Sequence, residues 1–115
     1  MMHTAPVLRL NLVQVAQLVG YCTEYRSFLW QHAMPTPERN QMIRSLQALQ
    51  GRLEKAQEQG QAEIALPITA EEKHTLQQLL SGLIQVYGRA CSSEQRNQAL
   101  AAITAWRLAL QRVQA

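Results

Sequence analysis

The chain contains no aspartate; all eight of its acidic side chains are glutamates. A Ser-His-Asp arrangement is therefore impossible, and no nucleophile elbow precedes any serine. Cysteine is scarce too. Cys22 and Cys91 stand far apart with no CxxC spacing, which argues against a zinc knuckle or a dithiol redox motif. No dense Lys/Arg cluster of the kind common in nucleic-acid binders occurs. No apolar run is long enough to span a bilayer either: the most apolar stretch, Val7 to Val19, is interrupted by Arg9, Asn11, Gln14 and Gln17. The opening Met-Met-His-Thr-Ala-Pro lacks the basic start and apolar core of a signal peptide. A cytoplasmic location with both thiols free is the resulting expectation.

What is present is a composition suited to a single packed domain. The chain has 115 residues, 47% of them apolar and 17% charged, in the range of globular rather than disordered chains. That length buries roughly two thirds of the unfolded surface. The net charge of +3 is uneven. Residues 1–57 hold six basic side chains and three Glu, and residues 58–115 hold five of each. A basic first half admits an anionic partner, with Arg9, Arg39, Arg44, Arg52 and Lys55 as its contacts.

Four segments carry helical periodicity. The first runs from about Leu12 to Ala33, with Val15, Leu18, Cys22, Tyr25 and Leu29 on its stripe. The second opens at Thr36-Pro37, a cap followed by proline at the first helical position, and stops near Gly60. Its stripe is Met42, Leu46, Leu49, Leu53 and Ala56. The third opens on Thr69-Ala-Glu-Glu72, a capping box, and continues through Leu76, Leu79, Leu83, Val86 and Ala90. The fourth follows Ser92-Ser93 through Leu100, Ile103, Trp106, Leu110 and Val113. These stripes are the seams of an all-α four-helix bundle.

Arg39-Asn-Gln41 recurs as Arg96-Asn-Gln98, a shift of 57. At the same shift Ile43, Leu46, Leu49 and Leu53 fall on Leu100, Ile103, Trp106 and Leu110, and Trp30 falls on Tyr87. A short alternating lead-in precedes each helix pair: Leu8-x-Leu10-x-Leu12 and Ile64-x-Leu66-x-Ile68, shifted by 56. The expectation is one domain, 1–115, built from two duplicated helical hairpins of about 8–57 and 64–113, each with an extended lead-in. A lone hairpin cannot bury both sides of its stripe, which gives the duplication a physical purpose.

Three short patterns touch on chemistry. Glu71-x-x-His74 has the spacing of di-iron carboxylate bundles, but no second pair exists, and acids in a first turn serve the helix dipole. Arg26-Ser-Phe-Leu-Trp-Gln-His32 resembles the Arg-x(4–6)-His motif of HEPN ribonucleases. That resemblance covers seven residues and implies Arg26 and His32 as the groups that position and cleave RNA. Six helical residues rotate by about 240°, so the two would diverge. The lead-in Leu8-Arg-Leu-Asn-Leu12 before two helices resembles a ribbon-helix-helix DNA binder, which implies Arg9 and Asn11 as base readers. The helices are long for that fold, and the second lead-in offers Glu63, Ala65 and Pro67 at the outward positions. A hydrophobic plug closing the bundle end is the preferred account of both lead-ins.

One excess remains. The start of the first helix is apolar on more than one side, and Leu12, Val15, Ala16 and Val19 form a candidate partner-binding face. The fourth helix shows a similar surplus in Ala101, Ala105, Leu108 and Ala109. The expected function is that of a small non-enzymatic helical interaction or assembly module, self-associating or docking another helical protein. It needs no cofactor, metal or membrane. A nucleic-acid-associated accessory protein is the alternative, and a HEPN-like ribonuclease stands third.

Overall fold

The computed structural model describes residues 7–90 and 92–112. Along the chain run β1 (Val7–Asn11), α1 (Leu12–His32), α2 (Pro37–Glu58), β2 (Glu63–Pro67), α3 (Ala70–Ala90) and α4 (Ser93–Gln111). The fold is all-α in character, four helices closed at one end by a two-stranded ribbon. The expected contributions of Cys91 and Val113 lie outside the described residues.

Each helix begins where a side chain can accept an orphan amide. Asn11 Oδ1 accepts the Gln14 N–H at 2.8 Å, and Gln14 Oε1 accepts the Asn11 N–H at 2.9 Å, a reciprocal capping box. Thr69 and Glu72 repeat that arrangement at the start of α3, both contacts at 3.0 Å. Thr36 and Ser92 cap α2 and α4 through their hydroxyls. α2 ends beyond Gln59 at Gly60, whose φ of 67° is left-handed and comfortable only for glycine.

β1 and β2 pair antiparallel, with Leu8 opposite Leu66, Arg9 opposite Ala65 and Leu10 opposite Ile64. Alternation turns Leu8, Leu10, Ile64 and Leu66 into the core and leaves Val7, Arg9, Asn11, Glu63, Ala65 and Pro67 outside. The lead-ins thus do plug the bundle, and they do it by pairing with each other.

α1 packs on α2 and α3 packs on α4, while α1 and α3 also meet, so these two form the centre of the molecule. One core of Val15, Leu18, Cys22, Leu46, Leu53, Leu79, Leu83, Ile103 and the inward ribbon residues results. Tyr21 is buried in α1 while Tyr25 is half-buried, and Leu80 joins Leu79 in α3; both helices bury a wider stripe than their seams anticipate. In α2 and α4 the buried pairs Leu46/Ile103, Leu49/Trp106 and Leu53/Leu110 keep the 57-residue spacing. In α1 and α3 burial instead matches Leu18 with Leu76, Tyr21 with Leu79 and Cys22 with Leu80, a spacing of 58. Trp30 therefore does not correspond to Tyr87: it is exposed, whereas Leu29 is buried. The capping boxes at Asn11 and Thr69 keep the same spacing of 58.

Candidate functional site

The face expected on α1 is not a continuous surface. Val15 is wholly buried against its own chain, and Val19 is half-buried against the same core. Leu12 and Ala16 stay outside. The central position of α1, which meets both α2 and α3, accounts for Val15, Leu18 and Val19, while Leu12, Val13 and Ala16 remain exposed. Val15 is accordingly removed from any partner surface.

The five basic residues do not form one patch. Arg9 stands alone on the outward side of the ribbon. Arg39 turns back along α2 toward α1, its guanidinium 4.8 Å from the centroid of the exposed Trp30 ring and hydrogen-bonded to Asn40 Oδ1. Arg44 donates to Gln41 Oε1 at 3.0 Å. Arg52 pairs with the Glu72 carboxylate and donates to the Pro67 carbonyl at 2.7 Å, tying α2 to α3 and β2. Lys55 lies on the same side of α2 as Arg44, about 20° away around the axis, whereas Arg39 is about 140° away. Asn11, the second implied base reader, has its side chain engaged in the α1 cap.

The residues implied by the ribonuclease resemblance are separated as well. Arg26 donates to Gln50 Oε1 at 2.6 Å within the α1–α2 contact, and its Nε is buried without a partner. His32 sits in the last turn of α1 with its ring 5.1 Å from that of Phe28. Among the described residues no three His, Cys or Glu side chains gather as a metal site. Glu71 lies in the first turn of α3, and His74 contacts Gln78. Cys22 is buried, and desolvation pushes its thiol up to about 12, which leaves it unreactive near neutrality.

Two flanks of the molecule remain, and they differ in kind. Between α2 and the start of α3 lies a cleft of about 500 Å³ lined by Gln41, Arg44, Ser45, Arg52, Glu71 and Glu72. Ala48 and Leu49 also line it, and Arg52 is paired there with Glu72. The opposite flank joins α4 to the start of α1, where the Trp106 indole N–H donates to Gln17 Oε1 at 2.8 Å. By the spacings that burial establishes, Arg44, Ala48 and Arg52 correspond to Ala101, Ala105 and Ala109, and Glu71 corresponds to Val13. All four of these are exposed, Val13 at 77%, and Leu108 on the same helix is 53% exposed. The α2 flank carries Arg44 and Arg52 on either side of Ala48, whereas the same positions of α4 carry three alanines.

The chain matches no family model, no curated protein and no solved structure.

Proposed function

We propose that this chain is a small non-enzymatic helical interaction module that self-associates, serving as an adaptor or assembly subunit. One observation carries the reading: the outer side of α4 exposes Ala101, Ala105, Leu108 and Ala109, where α2 at the 57-residue spacing has Arg44, Ala48, Gly51 and Arg52. A row of exposed apolar side chains along one helix fits the docking of another helix. The face lies on α4 rather than on α1, and the partner is a second copy of the chain or another helical protein. The two β-α-α halves are in this reading a duplication whose outer helices diverged, α2 toward solvent and α4 toward a partner. Its compartment is the cytoplasm, on the ground of two cysteines without disulfide spacing. Among the described residues no helix is long and apolar enough to cross a membrane.

The test is Leu108→Glu. A carboxylate in an apolar interface is costly, so the variant should fold normally and lose self-association. Unchanged association would move the interface elsewhere.

The alternative, an accessory protein on nucleic acid, draws on Arg9 projecting from the paired ribbon and on Arg44, Arg52 and Lys55. Against it, Glu63 shares the outward ribbon face, and Glu71 and Glu72 share the cleft. Binding that falls steeply with salt, with a slope reduced by Arg9→Ala, would favour this alternative.

A further inference from the structure

The outer face of α4 is organised as two columns, each repeating every seven residues. One column is Glu94, Ala101 and Leu108; the other is Gln98, Ala105 and Arg112. All six are exposed. Seven residues make nearly two turns, so the columns run side by side almost along the helix axis, away from the buried stripe of Ile103, Trp106 and Leu110. Arg112 keeps helical dihedrals just past the helix end (φ −77°, ψ −15°) and so continues its column.

These columns are complementary to each other when one is reversed. Glu94 and Arg112 lie equally far from position 103, as do Ala101 and Ala105, and Leu108 and Gln98. A second α4 laid antiparallel across the first, with a twofold axis at position 103, therefore sets Glu94 against Arg112 of the other copy. It sets Ala101 against Ala105, and the Leu108 side chain against the methylenes of Gln98. The two charges, about 27 Å apart along one helix, bracket an apolar centre in which alanines let the backbones approach closely. Both ends of the contact carry the same ion pair, as an isologous interface requires. A parallel pairing would instead set Glu94 beside Glu94 and Arg112 beside Arg112.

We infer that the chain forms a twofold-symmetric dimer through antiparallel α4–α4 packing, with Glu94 of each protomer paired to Arg112 of its partner. This rests on the self-association proposed above and adds the partner, the direction and the register. Charge reversal separates the two claims. By sedimentation equilibrium at low salt, Glu94→Arg and Arg112→Glu should each weaken the dimer about tenfold, since every reversal turns two attractions into two repulsions. The double variant, Glu94→Arg with Arg112→Glu, should recover wild-type affinity to within about threefold, because the pairs re-form with signs exchanged. Far-ultraviolet circular dichroism would verify the fold; both reversals oppose the α4 dipole, but both positions are exposed and the buried stripe is untouched, so the helix is expected to persist. A wild-type dimer indifferent to both single reversals, or a double variant no tighter than the singles, would overturn the antiparallel register while self-association stands. A wild-type chain that stays monomeric at hundreds of micromolar would overturn the self-association beneath it.

Discussion

The Tyr25 ring of α1 occupies the space that a side chain at position 82 of α3 would need. A β-carbon on Gly82 would fall inside the van der Waals envelope of that ring, so the two central helices cross at this point because position 82 has none. Gly20, Gly51 and Gly88 face open space instead. Two opposite effects of Gly→Ala follow. At positions 20 and 51 alanine should stabilise by about 0.5–1 kcal/mol through helix propensity and reduced unfolded-state entropy. At position 82 the displaced ring should outweigh that gain and destabilise by about 1–3 kcal/mol. Urea unfolding midpoints of the three variants decide it.

Leu46 and Leu53 are core residues of α2, almost wholly removed from water. Leu46→Ala should cost roughly 2–5 kcal/mol. Leu49→Ala and Trp106→Ala, at matched and buried positions of α2 and α4, should both be severe. Trp106→Phe should lose the contact to Gln17 at about 1 kcal/mol while retaining most of the packing. Chemical denaturation measures each.

Much of this architecture is legible in the residues, for identifiable reasons. Thr36-Pro37, Thr69-Ala-Glu-Glu72 and Ser92-Ser93 announce helix starts by chemistry that acts locally, and stripes such as Leu46-Leu49-Leu53 state a period. Pairing between Leu8-x-Leu10 and Ile64-x-Leu66 is not local: nothing within either segment specifies a partner 56 residues away. The sequence points to α1 for a partner face because an apolar excess reads alike whether neighbours come from the same chain or another. Val15 lies within the common core and Val19 packs against it, which only the packing order reveals. Leu108, Ala105 and Ala101 stand out in the sequence as surplus on α4, but their alignment with Glu94 and Arg112 acquires meaning only once Ile103, Trp106 and Leu110 define the inner side.

The buried thiol makes stability depend on alkaline pH. Folding raises the Cys22 pKa from 9.0 to about 12, chiefly by burial, while nearby Arg26 opposes the shift. Its contribution is fully present below about pH 9 and is lost as pH rises toward about 12, because only the unfolded chain releases the proton in that window. Tyr21 and Tyr25, also raised by burial, act in the same direction at higher pH. Urea midpoints between pH 8 and 10.5 should fall less steeply for Cys22→Ala than for the parent. In a Cys91→Ser background the remaining thiol should react with a disulfide reagent only on unfolding.

The ribbon separates stability from any contact with nucleic acid. Asn11→Ala removes the α1 cap and should cost about 1 kcal/mol. Arg9→Ala, exposed and opposite Ala65, should change stability by less than about 0.5 kcal/mol. Thermal unfolding of both variants, followed by circular dichroism, provides the comparison.

The molar mass of the purified 115-residue chain by light scattering, across a concentration series, tests the central claim most directly. One chain has a mass of 13.0 kDa. The account predicts twice that mass at micromolar concentration, and a return to one chain's mass when Ala105→Glu places a carboxylate at the centre of the α4 face. A single-chain mass at every concentration, or a dimer that Ala105→Glu leaves intact, would contradict it.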